Sequence, residues 1–180
     1  MQSRPKVSIL INCYNGERWL KEAIDSIYAQ TYQNWEIIFV DNCSTDKSAK
    51  IISQYDHRLK YYKTNRNISL GSARNWAMQF ISGKYLAFLD VDDLWLPKKL
   101  QLQVEQLENN LDFMLCYSGN YFINDESNNI RKRVPKSRTG YVFPSLLKYY
   151  DVNWQTVMVR FDKKYCFFCE EYVFAEDYEF

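Results

Sequence analysis

Three carboxylates stand within four residues at Asp90, Asp92 and Asp93, directly after the apolar run 85–89. Carboxylates this close raise each other's pKa, and a divalent cation would relieve their repulsion. Mg²⁺ and Mn²⁺ prefer oxygen ligands and often bind one or two carboxylates together with substrate phosphates. The spacing therefore favours a site for such a cation and a phosphate-bearing ligand. A solvated acidic turn before the helix near Pro97 is the alternative that this cluster alone leaves open.

Two other routes to phosphate binding are absent from the sequence. A dinucleotide fingerprint needs G-x-G-x-x-G after the first strand, where this chain has a single glycine, Gly16, and no P-loop pattern occurs. Bridging by a cation is the route that the composition permits, and Arg74 could contact a diphosphate beside it. The alternative for Arg74 is an ordinary charge on a helix surface.

Apolar runs alternate with segments of helical periodicity along the chain. The run 7–11 is nearly continuous, which is typical of a strand buried on both faces of a parallel sheet. The alternation predicts an α/β domain with a mainly parallel sheet and no internal domain boundary. The predicted strands are 7–11, 35–40, 59–63, 85–89, 113–118 and 157–160. The predicted helices are 17–30, 72–81, 97–110 and 143–149, together with one that begins after the capping residues Ser44–Asp46. Asn15 is the predicted cap of the helix 17–30. The segment 124–138 is predicted to be a loop.

Polar residues follow three of the predicted strands. The first strand ends in 12–15, the second in Asp41 and Asn42, and the strand 85–89 in the three carboxylates. In open α/β sheets, ligands bind beyond the carboxyl ends of the strands. We therefore expect these polar side chains to meet at one edge of the sheet.

The bulk composition excludes several classes of function. The chain has 180 residues, of which 47% are hydrophobic and 25% charged, the profile of one globular domain. A net charge of +1 gives no bulk attraction to nucleic acid. No apolar run approaches the roughly 20 residues that span a bilayer, and no signal peptide precedes the first strand, so we expect a cytoplasmic protein. A single histidine, His57, argues against multi-histidine sites, and the lone pair Cys166 and Cys169 lacks the second pair of a zinc ribbon.

Two charged segments leave alternatives open. The basic run 131–133, with Lys136 and Arg138, is either a solvated loop or a contact for anionic lipid or a lipid-linked acceptor. Near the C-terminus, Glu176 or Asp177 could take the proton of an acceptor hydroxyl. The alternative for that pair is a charged, frayed terminus.

Six segments together resemble a known family. In chain order they are VSILINCYN at 7–15, IYAQTY at 27–32, FVDNCSTD at 39–46, NISLGSARN at 67–75, FLDVDD at 88–93 and AEDY at 175–178. Each is modestly specific, but all six in this order resemble family 2 glycosyltransferases over nearly the whole chain. The resemblance implies the GT-A fold, a Rossmann-like three-layer sandwich with a mainly parallel central sheet.

The resemblance also implies roles for individual residues. Tyr14 would stack near uracil or another base with Asn12 beside it, Asp41 and Asn42 would meet base and ribose, and Arg74 would lie near base or diphosphate. Asp90 and Asp92 would form the D-x-D element that contacts ribose and a Mn²⁺ or Mg²⁺ ion, with Asp93 sharing the metal. Asp177, or Glu176, would be the catalytic base. Such an enzyme would move a sugar from a nucleoside-diphosphate sugar to a saccharide or lipid-linked acceptor, with inversion of the anomeric centre. The resemblance implies UDP as the nucleotide, and a role in the synthesis of cell-envelope polysaccharide or lipopolysaccharide.

The sequence departs from the family pattern at two places. The family usually carries two acidic residues after the second strand, and here the second is Asn42, whose oxygen can still accept a hydrogen bond from a base N–H. Relatives normally continue beyond the position of Phe180 with an acceptor-binding region, so one domain spanning 1–180 without that region is expected. A module that binds nucleotide sugar without transferring it therefore remains an alternative. A nucleotide-sugar pyrophosphorylase would need a glycine-rich loop that 7–16 lacks.

Overall fold

The structure is a computed structural model that describes residues 6–126, 128–136, 140, 152–164 and 168. Strands and helices alternate along most of this range. The strands are β1 Val7–Cys13, β2 Trp35–Asp41, β3 Leu59–Lys63, β4 Tyr85–Phe88, β5 Leu115–Cys116, β6 Asn120–Ile123, β7 Asn129–Arg133 and β8 Met158–Arg160. The helices are α1 Leu20–Tyr28, α2 Ser48–Ile52, α3 Leu70–Met78 and α4 Lys99–Asn109, and a short 3₁₀ turn covers Trp154–Thr156.

Within the described residues the main sheet has six strands in the order β3-β2-β1-β4-β8-β5. Strands β3, β2, β1 and β4 run parallel, and β8 runs antiparallel to both β4 and β5. The central strands β1 and β2 are buried on both faces, which explains their nearly continuous apolar sequences. The predicted α/β class with a mainly parallel sheet is confirmed.

Helices cover both faces of this sheet, which makes three layers. On one face, α1, α2 and α4 enclose a core that includes Ile9, Ile24 and Leu100. On the other face, α3 packs through Ala73 and Ala77 against the opposite sides of β1, β2 and β4. In α1 the buried positions recur every three or four residues, as an amphipathic helix requires. The two cores hold the carboxyl ends of the parallel strands in fixed register.

Some local predictions were wrong. Asn15 does not cap α1, which begins at Leu20; Asn15 adopts a left-handed backbone with φ 55°, and its side-chain oxygen accepts a hydrogen bond from Thr45 N at 2.9 Å. The helix predicted after Ser44–Asp46 is short and ends at Ile52. The strand predicted at 113–118 shrinks to two residues. The helix predicted at 143–149 lies outside the described residues.

The largest difference concerns 124–138, which the sequence analysis predicted to be a loop. This segment contains β7, which pairs antiparallel with β6 in a hairpin separate from the main sheet. Its sequence lacks the alternation of a half-buried strand because its described side chains are mostly exposed. Besides the backbone ladder, cation–π contacts cross between the strands, with Arg131 4.9 Å from the Phe122 ring and Lys132 5.9 Å from the Tyr121 ring.

No helix in the described part of the chain is long and apolar enough to cross a membrane.

Candidate functional site

The polar strand ends meet at one edge of the sheet, as predicted. Strand β1 lies between β2 and β4, and all three run in the same direction. The chain builds β2 and β3 on one side of β1 and then crosses to β4 on the other side, so the order of strands reverses next to β1. Such a reversal leaves a crevice at the carboxyl ends of the strands, where open α/β sheets bind their ligands. Asn12 and Asp90 lie on the two sides of this crevice.

The end of β1 contributes an unsatisfied acceptor. Asn12 Oδ1 is buried and meets no hydrogen-bond donor among the described residues. An unpaired buried oxygen costs free energy that a ligand donor would recover. Two residues further on, Tyr14 is 56% exposed. A buried acceptor next to an open aromatic ring suits a flat ligand with N–H or O–H donors.

The loops that follow β1 and β2 are bonded tightly to each other. Asn42 N donates to Cys13 O at 2.7 Å, and Asn15 N donates to Ser44 Oγ at 3.0 Å. A reciprocal pair follows, in which Glu17 N donates to Asp46 and Lys47 N donates to Glu17 Oε2. These bonds fix the backbone on which Tyr14 is carried.

Asp41 is fully buried at the end of β2, and both of its oxygens are engaged. Oδ1 accepts from Ser44 N at 2.7 Å, and Oδ2 accepts from the Tyr61 hydroxyl at 2.6 Å and lies 3.7 Å from Lys63 Nζ. Burial and the adjacent Asp41 carboxylate hold the pKa of Tyr61 well above its usual range. Asp41 therefore positions the loop after β2, and its predicted contact with ribose or base stays a prediction.

Asn42 has a comparable structural task. Its Nδ2 donates to Ile68 O at 2.8 Å, while its Oδ1 accepts from Ile68 N at 3.0 Å and from Thr64 Oγ1 at 3.2 Å. The amide thus holds the 64–68 loop against the end of β2. The base contact predicted for Asn42 would use this same oxygen, which already accepts two hydrogen bonds, and it stays a prediction.

Arg74 and Asp90 form an ion pair across the crevice. The guanidinium Nη2 lies 3.7 Å from Asp90 Oδ1, and Arg74 is only 5% exposed although it sits on α3. The Phe168 ring lies 5.1 Å from the same guanidinium. Burial on this scale excludes an ordinary surface charge and places the guanidinium beside the carboxylate loop, whereas the predicted contact of Arg74 with base or diphosphate stays a prediction.

Gln155 is a site residue that sequence reasoning missed. Its Nε2 donates to Asp90 Oδ2, while its Oε1 is buried and meets no donor among the described residues. Gln155 lies in the 3₁₀ turn before β8, 65 residues from Asp90, and no motif marks it. The one available signal was its place just before the strand predicted at 157–160, because that strand enters the sheet next to β4.

The carboxylate loop bends back on itself directly after β4. Asp93 N donates to Asp90 O at 3.2 Å, which closes a turn over the three acidic residues. Burial, together with the nearby Asp90 and Asp92 carboxylates, raises the pKa of Asp93 to about 6. The mutual repulsion expected from the sequence is therefore present in the fold.

The three carboxylates do not form a preassembled metal cluster. Among the described residues, no three His, Cys, Asp or Glu side chains converge closely enough to hold a metal ion. Asp90 is already held by Arg74 and Gln155, so a site built by Asp90, Asp92 and Asp93 together stays a prediction. Asp92 and Asp93 still offer the oxygen donors that Mg²⁺ and Mn²⁺ prefer when phosphates complete the shell. The residues present thus fit a cation that arrives with its ligand.

The predicted catalytic base cannot be located in this fold. Glu176 and Asp177 both lie outside the described residues, so their role stays a prediction.

Comparisons with known proteins agree on one family. The model for Glycosyl transferase family 2 matches residues 8–169. The chain is 38% identical over 187 aligned residues to the uncharacterized glycosyltransferase MJ1057 of Methanocaldococcus jannaschii, covering 98% of this chain and 63% of the relative. It is 35% identical over 155 residues to the UDP-Glc:alpha-D-GlcNAc-diphosphoundecaprenol beta-1,3-glucosyltransferase WfgD of Escherichia coli, covering 85% of this chain and 59% of that enzyme.

Solved structures agree on the fold. Residues 1–349 of S. aureus TarS in complex with UDP superpose with a TM-score of 0.74 at 21% identity, covering 96% of this chain and 53% of TarS. At that identity the likeness concerns the fold alone. The chain spans about six-tenths of the length of the two curated relatives.

Proposed function

Because this chain belongs to glycosyl transferase family 2, with the GT-A fold, we propose that it binds a nucleoside-diphosphate sugar and transfers the sugar, with inversion, to an acceptor hydroxyl. We propose UDP as the nucleotide. Two of the proteins compared above support that choice, since TarS was solved with UDP and the name of WfgD gives UDP-Glc as its donor.

One observation carries the proposal from the structure itself. The buried oxygen of Asn12, which meets no donor among the described residues, lies at the end of β1, and the buried Arg74 pairs with the partly exposed Asp90 at the end of the neighbouring β4. A nucleoside diphosphate has base and ribose donors for the oxygen and negative charge for the cation. No other place in the described part of the chain combines an unmet acceptor, an exposed aromatic ring and a buried arginine.

The residues divide the donor among them. Tyr14 would stack on the base, and Asn12 would accept a hydrogen bond from base or ribose. Asp41 and Asn42 would support this half of the site by holding their loops, as their present contacts indicate. Arg74 would lie near the diphosphate and keep Asp90 in place.

Asp92 and Asp93 would hold a Mn²⁺ or Mg²⁺ ion together with diphosphate oxygens. When bound, the ion supplies positive charge that stabilises the departing nucleoside diphosphate. The raised pKa of Asp93 supports this assignment, because an uncompensated carboxylate gains most from a cation. We propose that Asp90 orients the loop and contacts ribose and does not act as a third full ligand.

The transfer itself is a displacement at the anomeric carbon. The acceptor oxygen forms a bond to that carbon from the face opposite the diphosphate, and the bond from carbon to the phosphate oxygen breaks with its electron pair leaving on the diphosphate. The acceptor proton passes to a carboxylate, for which Asp177 or Glu176 is proposed from the family resemblance. A single displacement of this kind inverts the anomeric configuration.

The acceptor class is proposed from the relatives. The name of WfgD describes an acceptor sugar carried on diphosphoundecaprenol. We therefore propose a saccharide or lipid-linked saccharide acceptor and a role in assembling cell-envelope glycans.

Isothermal titration calorimetry with UDP in the presence of Mn²⁺ tests donor binding. We expect the 180-residue chain to bind UDP saturably. The affinity for UDP should fall about tenfold or more in Asp92→Ala, which is equivalent to the loss of one charge-assisted contact. Asp112→Ala, which removes an exposed carboxylate beyond α4, is the matched control and should bind like the wild type. Failure of the wild type to bind any of UDP, GDP, ADP or CDP would refute the proposal.

A further inference from the structure

A second cleft opens beside the donor crevice, on the outer side of the carboxylate loop. It has a volume of about 320 Å³, and Asp92 and Asp93 form part of its wall. Trp19, at the start of α1, and the strand β6, with Tyr121 and Phe122, form other parts. The cleft thus borders the proposed metal ligands while lying outside the strand-end crevice of Asn12 and Tyr14. Nothing in the donor assignment uses Trp19 or β6.

The hairpin wall is tied to the body of the domain next to this cleft. Arg18 Nη2 lies 2.9 Å from Asp125 Oδ2 in the turn between β6 and β7, and the Arg18 guanidinium stacks 4.2 Å from the centre of the Trp19 ring. The ion pair is exposed and adds little stability. Its geometric effect matters more, because it connects the turn after Tyr121 and Phe122 to the helix end that carries Trp19.

The chemistry of the wall indicates the class of ligand. The aromatic residues of the lining are Trp19 and, on β6, Tyr121 and Phe122, whose side chains point to opposite faces of the strand. The remaining polar groups are carboxylates and amides. The carboxylates include Glu22 and Asp125 in addition to the two of the metal loop. Lysine and arginine are absent from the described lining. Away from the metal ion proposed on Asp92 and Asp93, a phosphate or other anion would therefore meet carboxylates and no lysine or arginine of the described lining.

A neutral sugar matches each of these features. The C–H face of a pyranose packs on an aromatic ring, as other apolar surfaces do. Its hydroxyls donate to carboxylate and amide oxygens, which line the remaining wall. A cleft of this volume lies at the small end of the usual range for ligand sites, which suits one or two sugar rings.

We propose that this cleft binds the terminal, uncharged sugar of the acceptor, with Trp19 and Tyr121 as the surfaces on which the ring packs. The proposal rests on the proposed function and deepens it, because it names the part of the acceptor that this chain recognises. The sugar would enter between the hairpin and α1 and bring its hydroxyl to the side of the carboxylate loop opposite Arg74. A charged portion of the acceptor, such as a lipid diphosphate, would stay outside the cleft.

Fluorine NMR of the 180-residue chain labelled with 5-fluorotryptophan tests this assignment. The Trp19→Phe variant identifies the Trp19 signal, and the probes are the methyl glycosides of glucose, galactose, mannose and N-acetylglucosamine, each titrated with and without UDP and Mg²⁺. We expect at least one glycoside to shift the Trp19 signal saturably. Tyr121→Ala should lower the affinity for that glycoside about fivefold, whereas Tyr121→Phe should retain most of this affinity.

Ile130→Ala is the matched control, because Ile130 is 68% exposed on the same hairpin and does not line the cleft. Its glycoside affinity should equal that of the wild type. Calorimetry with UDP and Mn²⁺ checks that Tyr121→Ala is folded, and donor affinity should be unchanged. If no glycoside moves the Trp19 signal, or if Tyr121→Ala and Ile130→Ala bind alike, the cleft assignment is wrong even when UDP binds. If glycosides bind but the wild type binds no nucleotide, the donor proposal fails and the saccharide cleft stands.

Discussion

Arg74 Nη2 lies 3.7 Å from Asp90 Oδ1, and this pair joins helix α3 to the carboxyl end of β4. Asp90 is also held by Gln155 on its other oxygen. A single carboxylate is thus fixed from two sides by residues that are distant in the sequence. The loop that carries Asp92 and Asp93 therefore starts from a rigid point, as a binding site requires.

Replacing Arg74 by Met should weaken both the fold and donor binding. The substitution removes a buried cation and leaves Asp90 with one fewer partner, so we expect a loss of about 2 kcal/mol in the free energy of unfolding, below the range for fully buried pairs because Asp90 is partly exposed. UDP affinity should fall about tenfold. Urea unfolding and calorimetry measure the two effects. Lys50→Met, an exposed charge on α2, should change neither, and unaltered UDP affinity in Arg74→Met would remove Arg74 from the donor site.

Gln155→Ala tests whether the second anchor of Asp90 matters for the ligand. Loss of a hydrogen bond to a carboxylate typically removes about 1.5 kcal/mol, so we expect UDP affinity in the presence of Mn²⁺ to fall about tenfold. The control is Gln79→Ala, because Gln79 is exposed just beyond α3 and its Nε2 donates to Trp76 O. Equal affinities of the two variants would show that Gln155 has no part in organising the loop.

Gly16→Ala should destabilise the junction between the loop after β1 and the carboxylate loop. An added Cβ would lie 2.8 Å from Cys13 Sγ and 3.3 Å from a methyl carbon of Val91, so neighbouring atoms must shift. Overpacking of this kind costs about 1–3 kcal/mol. Thermal unfolding measures the loss, and the double variant with Cys13→Ala should recover part of it because the closest atom is then gone. A double variant whose loss equals the sum of the single losses would exclude this contact as the cause.

Glu36 gives a prediction about pH. Burial by itself raises the pKa of this carboxyl, but hydrogen bonds from Lys60, Ser8 and Ser82 outweigh it and hold the pKa below the ordinary value of 4.5. A carboxyl whose pKa is lower in the folded than in the unfolded state stabilises the fold at pH values above its unfolded-state pKa. This stabilisation disappears as the pH falls through the folded-state pKa. Glu36→Gln should therefore destabilise the protein more at pH 7 than at pH 3, as measured by urea unfolding. The exposed Glu105→Gln should show no such difference, and a pH-independent loss in Glu36→Gln would contradict the ionic explanation.

The sequence predicted the layered fold because its strongest signals are local. Continuous apolar runs mark β1 and β2, which are buried on both faces, and the spacing of Leu20, Ala23, Ile24 and Ile27 marks α1. The convergence of Asn12, Asp41 and Asp90 at one edge followed from parallel pairing, which fixes all carboxyl ends on the same side.

What the sequence could not show depends on partners far along the chain. The engagement of Asp41 by Tyr61 and of Asp90 by Gln155 links residues 20 and 65 positions apart, and no periodicity records such pairs. Strand β7 was not predicted because its residues are polar and exposed. Its pairing with β6 is accompanied by cross-strand cation–π contacts and not by burial of apolar side chains. Side-chain identity predicted three carboxylates for one ion but gave no sign that Arg74 and Gln155 hold Asp90.

The β6–β7 hairpin stands apart from the six-stranded sheet, and its turn is linked to α1 by the exposed Arg18–Asp125 pair. Such an appendage can be exchanged between homologous proteins with little disturbance to either buried layer. If the cleft binds a sugar as proposed, a chimera that keeps the rest of this chain but receives another hairpin should retain its nucleotide preference and change its choice of sugar. Diversification of glycan structures could then proceed by changing about a dozen surface residues while the machinery beneath them stays the same.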